Sequence, residues 1–361
     1  MGSAHGKESG VRSTSAPLLP GVRRCRPPAD GILEAIGDTA LVELRRYLGD
    51  TDLRVWAKLE SGNPGASIKA RPAARIISDA IEGGLVEPGT TVIESTSGNM
   101  GVGLAQACRY HGLALICVVD SRTHETNVRT LRALGADVRI VAAPDPVTGD
   151  LLSARLALVH ELVATIPGAF WPDQYANESN PAAHADGTMR EIDEALGGEV
   201  DYLFVATSTA GTLRGCTDYL RRHGRPTRVV AVDAIGSVLF GGTRAARRLP
   251  GFGAGVESDL SRTVGFDQLV RVSDLDCVVG CRRLIHREAV FAGGSSGGVA
   301  AALELVAPAI PPNSRCALIF PDGGTGYLQT VYDDAWVSEA LGADVDEIAQ
   351  LVAGPPALAT V

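Results

Sequence analysis

From Gly31 onward, short apolar runs of strand length alternate with longer helical patterns. Most of these runs are continuously apolar, as expected for parallel strands that helices cover on both faces. The alternation therefore predicts an α/β fold with mostly parallel, twisted sheets. The candidate strands are Val55–Leu59, Thr91–Ser95, Ala114–Val119, Asp137–Val141, Tyr202–Ala206, Arg228–Asp233 and Arg315–Phe320.

The strands fall into two groups, separated by a break containing Pro and Trp at Ile166–Pro172. We expect two α/β domains: a larger one from 31–66 with 166–345, and a smaller, mobile one from 67–165. Residues 1–30 are rich in Ser, Gly, Pro and Arg and are interpreted as a disordered leader, with a cleaved transit peptide as the alternative. Residues 346–361 are interpreted as a C-terminal tail. The predicted helices are Lys69–Glu82, Asn99–Tyr110, Thr126–Leu134, Leu151–Ala164, Pro181–Ala195, Gly211–Arg222, Asp276–Ala289, Gly298–Val306 and Gly326–Leu341.

Composition limits the classes of function open to this chain of 361 residues. The formal net charge of −9 disfavours nucleic acid as a partner. No apolar run approaches the roughly 20 residues needed to cross a bilayer, so we expect no membrane association. The seven cysteines are scattered and form no CxxC pair, which favours buried thiols in a reducing compartment over a metal site. These features predict a soluble, cytoplasmic enzyme.

The first candidate functional residue is Lys69, at the start of a predicted helix. It follows an apolar strand and a turn dense in Gly, Asn and Pro, and Ser67 opens the helix. The helix dipole and scarce water would push such a lysine toward its neutral form. A neutral amine is the nucleophile that condenses with an aldehyde. A solvated surface lysine is the alternative that this residue alone leaves open.

Two loops between a strand and a helix carry clusters of hydroxyl groups. Ser95, Thr96, Ser97 and Gly98 precede Asn99 and offer a seat for a carboxylate, whereas an ordinary helix cap needs one such residue. The second loop alternates small hydroxyl residues with Gly, a pattern that lets backbone N–H groups close around a phosphate. It lacks the ending of a P-loop, so Mg-nucleotide is not implied. Its residues are Thr207, Ser208, Thr209, Ala210, Gly211 and Thr212.

A third loop, Ala292–Gly298, places Ser295 between glycines and predicts backbone packed closely against a flat ligand. The chain thus combines an amine, a carboxylate seat, a phosphate seat and a lone hydroxyl. A pyridoxal phosphate enzyme acting on an amino acid needs these four groups, for the Schiff base, the substrate carboxylate, the cofactor phosphate and the ring nitrogen.

These motifs resemble those of the fold-type II pyridoxal phosphate enzymes, the cysteine synthase and cystathionine β-synthase group, over about residues 31–340. Ser67–Lys69 is similar to the lysine motif of the group, and Ser97–Asn99 to its substrate loop. Ser208–Thr212 is similar to the phosphate loop, and Gly294–Gly297 to the loop at the ring nitrogen. The resemblance implies pyridoxal 5′-phosphate as cofactor, small amino-acid substrates and a homodimer.

Further stretches resemble a branch of the group that joins O-phospho-L-serine to L-glutamate on the way to 2,3-diaminopropionate, in siderophore or peptide-antibiotic pathways. One departure is Ala70, where the group usually has Asp after the lysine. The similar stretches are Glu94–Asn99, Asp173–Glu178, Val230–Ala234, Leu249–Ala254, Gly280–Ile285 and Val290–Gly294.

The resemblance implies a β-replacement in which Lys69 binds the cofactor and takes the Cα proton of the substrate. It places Asn99 at the 3′ oxygen of the cofactor and Ser295 at the ring nitrogen. Sulfide as nucleophile would give cysteine, and the α-amine of glutamate would give the diaminopropionate precursor. A non-catalytic partner protein on the same fold is the alternative from another class.

The nucleophile is the least constrained part of this prediction. Glutamate brings two carboxylates, for which Tyr175 and the cluster Arg244, Arg247 and Arg248 are candidate contacts. A solvated charged face is the alternative interpretation of the three arginines.

Overall fold

The structure is a computed structural model that describes residues 28–354 except 148 and 150. The residues form two separate sheets with helices on both faces, so the predicted α/β class is confirmed. The strands are β1 Leu41–Glu43, β2 Arg54–Leu59, β3 Thr91–Ser95, β4 Ala114–Asp120, β5 Asp137–Val141, β6 Tyr202–Ala206, β7 Arg228–Ala234, β8 Gln268–Val272 and β9 Arg315–Phe320.

The helices connect these strands and cover the sheets. They are α1 Ala70–Glu82, α2 Asn99–Tyr110, α3 Glu125–Ala133, α4 Leu151–Thr165, α5 Ser179–Ala183, α6 Arg190–Ala195, α7 Gly211–Arg222, α8 Asp259–Arg262, α9 Asp274–Glu288, α10 Gly294–Val306, α11 Asp334–Leu341 and α12 Val345–Ala353. A π-helical turn, His184–Met189, joins α5 to α6.

The larger sheet has the strand order β1-β2-β9-β6-β7-β8, and all its pairs are parallel except β1 with β2. The smaller sheet, β3-β4-β5, is wholly parallel. Phe170 adds a bridge to its β3 edge at Val92. The chain therefore returns from the smaller sheet to the larger one along that edge. The predicted limits of the two domains remain a prediction. We propose that each domain is built around one of these two sheets.

The central strands of each sheet are buried on both faces. On the larger sheet, one apolar cluster contains Phe204 and Phe320 with residues of α9, α10 and α12, and another contains Leu203 with residues of α6 and α7. On the smaller sheet, Val92 packs toward α1, α2 and α3, and Ile93 packs toward α4. This arrangement explains why the strands are continuously apolar.

Three predicted segments differ in the structure. The helix predicted from Gly326 begins only at Asp334, because Asp333 caps it by accepting hydrogen bonds from the N–H groups of Ala335 (2.8 Å) and Trp336 (3.1 Å). The helix predicted from Gly298 begins at Gly294. Residues 346–353, interpreted as tail, belong to α12, since Ile348 is buried in the core. The leader falls outside the described residues up to residue 27, as does the tail from residue 355.

Two short strands, β1 and β8, were absent from the prediction and lie at the two edges of the larger sheet. Edge strands pair on one side only, so they need less apolar sequence than the central strands. Among the described residues, no helix has both the length and the apolar character to traverse a bilayer.

A buried cluster of four charges holds the start of α1. Arg71 bonds both oxygens of Glu60 and both oxygens of Glu191, at 2.6 to 2.9 Å. Lys58 Nζ lies 2.6 Å from Glu191 Oε2. Burial disfavours the charge on Glu191, but Arg71 and Lys58 lower the pKa of this carboxyl to about 2. The cluster ties β2, the start of α1 and α6 together.

Removing the Arg71 side chain should therefore be costly. Arg71→Met leaves Glu60 buried without its partner, and we expect a loss of about 3–5 kcal/mol in the free energy of unfolding. Urea unfolding at pH 7 measures it. The matched control is Arg75→Met on the same helix, whose pairs with Asp79 and Asp186 are partly exposed and should contribute about 0–1 kcal/mol. Equal losses in both variants would contradict the role of the cluster.

Candidate active site

Lys69 lies immediately before α1 and is its N-cap residue. The N–H of Ile68 donates to the carbonyl of Pro321, just after β9, at 2.7 Å. On the other side, Gly103 of α2 packs against the turn so closely that a Cβ there would lie 2.9 Å from the Lys69 carbonyl oxygen. The backbone of Lys69 is thus fixed by elements of both sheets.

The position of Lys69 in a closed environment changes its ionisation. Burial lowers the pKa of the amine to about 8, against the opposing charge of Asp322, which raises it. A sizeable fraction of the amine is therefore neutral near pH 7 to 8. The direction agrees with the sequence prediction, although burial is the cause that dominates.

A small cavity opens in front of Lys69. It combines the amine, five residues of the second hydroxyl-rich loop and one hydroxyl from the start of α10. The lining residues are Ile68, Lys69, Val205, Ala206, Ser208, Thr209, Ala210, Gly211, Thr212, Gly251, Ser295, Ile319 and Pro321. Asn99, Ser95–Gly98, Tyr175 and the three candidate arginines lie outside this lining.

The loop between β6 and α7 is shaped to wrap around a ligand. Ala210 adopts a left-handed conformation (φ 66°), which a non-Gly residue seldom takes and which is common at functional sites. A Cβ at Gly211 would lie 2.2 Å from the side-chain oxygen of Asn180, so only Gly fits there. Thr207 differs from its neighbours, because its hydroxyl lies 3.1 Å from both the Val232 carbonyl oxygen and Asp233 Oδ1.

A buried histidine supports the end of this loop. His184 Nε2 lies 3.3 Å from Thr212 Oγ1, and its Nδ1 lies 3.1 Å from Thr188 Oγ1. Burial, with the charges of Lys69 and Arg71, holds the pKa of His184 well below its usual value. The neutral ring therefore orients the Thr212 hydroxyl through a hydrogen bond without adding a charge.

The first hydroxyl-rich loop, between β3 and α2, uses part of its polar groups for its own structure. Thr96 Oγ1 accepts from the N–H of Gly101 in the first turn of α2 at 3.0 Å. Asn127 Nδ2 donates to the carbonyl of Ser97 at 2.9 Å. The hydroxyl oxygen of Ser95 is buried and has no hydrogen-bond partner among the described residues. The loop therefore holds its shape and keeps one hydroxyl available.

Glu94 anchors the same loop to the segment that leaves the smaller sheet. Its carboxylate accepts from the N–H of Ser95 at 2.8 Å, from the N–H of Gln174 at 3.3 Å and from Trp171 Nε1 at 3.4 Å. Burial outweighs these bonds and raises the pKa of Glu94 to about 8. Sequence reasoning missed this role, which depends on contacts some 80 residues apart.

Ser295 lines the cavity from the first turn of α10 rather than from a loop. The neighbouring Ser296 hydroxyl points instead toward the Asp322 carbonyl oxygen, at 3.5 Å. Asn99 Nδ2 donates to Asp322 Oδ2 at 2.8 Å. Asp322 thus connects the start of α2 with the end of β9, next to Lys69.

The three candidate arginines have different environments. Arg244 and Arg248 are exposed, and the N–H of Arg248 donates to Asp274 at 2.8 Å. Arg247 is half-buried and donates to the carbonyl of Phe252 at 2.9 Å. Burial lowers the pKa of Arg247, with Asp233 opposing.

The charges of two arginines act on Tyr175: Arg247 and Arg155 of α4, which sequence reasoning missed. Burial and Glu94 raise the pKa of the Tyr175 phenol, and the charges of Arg155 and Arg247 both lower it. The Arg155 side chain is 13% exposed, with its Nε 3.4 Å from Asp120 Oδ2. Nothing in the local sequence of α4 distinguishes Arg155 from an ordinary surface arginine.

Comparison with known proteins identifies the family. Residues 32–322 match the family described as "Pyridoxal-phosphate dependent enzyme". The chain belongs to this family. It is 43% identical over 311 residues to N-(2-amino-2-carboxyethyl)-L-glutamate synthase of Ralstonia nicotianae, covering 86% of this chain and 91% of that one. The synthase of the same name from Cupriavidus metallidurans is 42% identical over 312 residues, with the same coverage.

Solved structures of this pyridoxal-phosphate dependent family share the fold. The O-acetylserine dependent cystathionine β-synthase from Helicobacter pylori has a TM-score of 0.78 and 29% identity, covering 84% of this chain and 99% of that one. O-ureido-L-serine synthase has a TM-score of 0.78 and 30% identity, and the match covers 86% of this chain and 100% of that one. The protein is therefore a β-replacement enzyme of the cysteine synthase-like group that uses pyridoxal 5′-phosphate.

The cavity residues fit this cofactor. An amine with a lowered pKa suits an aldehyde, and the tight Ala210–Gly211 turn at the start of α7 suits a phosphate. Ser295 supplies a neutral hydroxyl, which suits an unprotonated ring nitrogen. We expect Lys69, Ser208–Thr212 and Ser295 to hold the cofactor.

Cofactor binding through Lys69 is tested by colour. Covalent attachment at Lys69 Nζ extends the conjugated system of the cofactor, so the reconstituted wild type should be yellow. Lys69→Ala should bind the cofactor reversibly and lose the colour on desalting, as measured by visible absorption. Lys58→Ala is no suitable control because it breaks the buried charge cluster, so we choose Arg248→Ala, which should stay yellow. A colourless wild type after reconstitution would contradict the assignment.

Proposed function

We propose that this enzyme joins O-phospho-L-serine to L-glutamate, giving N-(2-amino-2-carboxyethyl)-L-glutamate and phosphate. The names of the relatives at 42–43% identity support this reaction. The structural observation that carries it is a pair of partly buried arginines, Arg155 and Arg247, whose charges both act on Tyr175. Sulfide would need no such charges, whereas a second amino acid with two carboxylates does.

Lys69 acts first as the attachment point and then as the base. Its amine, with a pKa of about 8, is free to take the Cα proton of the substrate once the substrate amine has replaced it. Bound pyridoxal phosphate supplies the electron sink for this step. If the Ser295 hydroxyl meets the ring nitrogen, it would keep that sink weak, which would favour loss of the β-substituent over transamination.

The loop Ser95–Gly98 receives the substrate carboxylate. It lies at the start of α2, where N–H groups without helical partners and the helix dipole favour an anion. The unpartnered Ser95 hydroxyl is one donor in this loop. We assign the 3′ oxygen of the cofactor to Asn99.

The bond between Cβ and the phosphate oxygen of the substrate would then break, and phosphate would leave as an anion. The glutamate α-amine would form the new bond from nitrogen to Cβ and give up a proton, and Lys69 would return a proton to Cα. Arg247 and Arg155, together with Tyr175, would hold the carboxylates of glutamate. Arg244 and Arg248 face solvent and serve at most to attract anions.

We propose that the product feeds 2,3-diaminopropionate synthesis for a siderophore or peptide antibiotic. We also propose a cytoplasmic homodimer. The six cysteines within the described residues are free and buried, which supports a reducing compartment. The dimer rests on the resemblance to the cysteine synthase group.

A cysteine synthase that uses sulfide is the second candidate. The solved relative from Helicobacter pylori is an O-acetylserine dependent cystathionine β-synthase, which favours the acetyl ester as the first substrate of this alternative. Mass spectrometry of the products separates the two. We expect O-phosphoserine with glutamate to give N-(2-amino-2-carboxyethyl)-L-glutamate, and O-acetylserine with sulfide to give little cysteine. Cysteine as the dominant product would overturn the proposal.

The role of Arg247 is tested by splitting the reaction into two steps. Arg247→Ala should weaken the use of glutamate about 10- to 100-fold, because a charge-assisted hydrogen bond contributes roughly 1.5–3 kcal/mol. The absorbance change that O-phosphoserine alone causes in Arg247→Ala should remain close to that of the wild type. Stopped-flow absorbance after mixing with O-phosphoserine measures the first step. The reversal of that absorbance change when glutamate is added measures the second step.

The control is Arg248→Ala, which removes an exposed arginine next in the chain and should alter neither step. Arg155→Ala should behave like Arg247→Ala. If saturating glutamate has no effect in the wild type while sulfide does, the glutamate assignment is wrong.

A further inference from the structure

We propose that Asp322 is a positioning residue that orients the Asn99 amide toward the cofactor and keeps the opposing charge beside Lys69. This inference rests on the proposed roles of Lys69 and Asn99. It extends them to Asp322, which with Pro321 resembles a late motif of the group but to which the sequence assigned no role.

The geometry fixes the direction of the Asn99 side chain. Asp322 Oδ2 accepts from Asn99 Nδ2 at 2.8 Å and from the Tyr327 hydroxyl at 3.0 Å. An ionised carboxylate only accepts hydrogen bonds, so it selects the amide nitrogen and not the amide oxygen of Asn99. The second N–H of that amide is then left to donate to another acceptor, and the 3′ oxygen of the cofactor is such an acceptor.

The backbone around Asp322 is built to hold this carboxylate in place. Ser67 and Asp322 form an antiparallel bridge. Because Ser67 is two residues before Lys69, this bridge holds the Asp322 backbone close to the lysine. The N–H of Gly293 donates to the Asp322 carbonyl at 3.1 Å. A Cβ at Gly293 would lie 2.0 Å from Asp322 Oδ1, so the site accepts the carboxylate only because residue 293 is Gly.

The carboxylate is 8% exposed, and its Oδ1 has no hydrogen-bond partner among the described residues. Titratable groups face it from four elements: Lys69 before α1, Cys281 of α9, Tyr327 in the turn after β9, and Tyr332 before α11. Burial raises the pKa of Asp322 to about 6, although Asn99, Tyr327 and Lys69 each lower it.

The pH dependence follows from this arrangement. Above about pH 6 Asp322 is ionised and accepts from both donors. Below it, the protonated carboxyl loses the charge that faces Lys69, and the hydrogen bond to Asn99 weakens. The reconstituted wild type should therefore show an acid transition near pH 6 in its visible spectrum and in its affinity for pyridoxal phosphate.

The test compares Asp322→Asn with Tyr327→Phe. Asp322→Asn keeps the shape but removes the charge, so the acid transition should disappear. Tyr327→Phe removes one donor from the anion but keeps the charge, so the transition should move to higher pH. A transition that persists unchanged in both variants would overturn the proposal. If Asp322→Asn does not fold, the shift in Tyr327→Phe still decides the question.

A double-mutant cycle tests the link to Asn99. Asn99→Ala and Asp322→Asn should each weaken pyridoxal phosphate binding about tenfold, and the double variant should lose little more than either one. Independent losses, multiplying to about 100-fold, would show that Asp322 does not act through Asn99. Dissociation constants from visible absorption give these values without any assay of turnover.

A separate experiment measures the effect of Asp322 on the pKa of the Lys69 amine, in the full chain before cofactor is added. Acylation of Lys69, followed by mass spectrometry across pH 6 to 10, should give a lower amine pKa in Asp322→Asn than in the wild type. An unchanged pKa would refute this part of the role. A wild type that never turns yellow would defeat the proposed function too, whereas a yellow wild type with additive variants would defeat this inference alone.

Discussion

The guanidinium of Arg71 determines where Lys69 can be. It is shared between Glu60, just after β2, and Glu191 of α6, so the first turn of α1 has one position relative to both. Each of these charges would be expensive to bury alone, and the paired set is tolerated because every carboxylate oxygen has a donor. The reactive amine is therefore held by a cluster that itself takes no part in the chemistry.

The two sheets then supply different parts of the candidate site from the same end of their strands. The hydroxyl-rich loop after β3 comes from the smaller sheet, and the loop after β6 and Asp322 after β9 come from the larger one. In parallel sheets the carboxyl ends of neighbouring strands meet at one edge, where loops can converge on a ligand.

The sequence predicted the parts of the site that are local. Lys69, the loop Ser208–Thr212 and Ser295 each follow a strand or open a helix within a few residues, so their positions follow from the periodicity around them. Asp322, Glu94 and Arg155 could not be assigned this way. Asp322 acts on Asn99 across 223 positions of the chain, and no local pattern encodes such a pairing. The π-helical turn that presents His184 escaped prediction for the same reason.

Polar satisfaction differs on the two sides of Lys69. Behind it, the charge cluster around Arg71 is fully paired. In front of it, Asp322 Oδ1 is buried without a hydrogen-bond partner among the described residues, and so is Ser95 Oγ in the loop before α2. An unsatisfied buried group costs about 1–3 kcal/mol. The proposed function places Asp322 beside the cofactor and Ser95 at the substrate carboxylate, so ligand atoms that satisfy these groups would recover that free energy on binding.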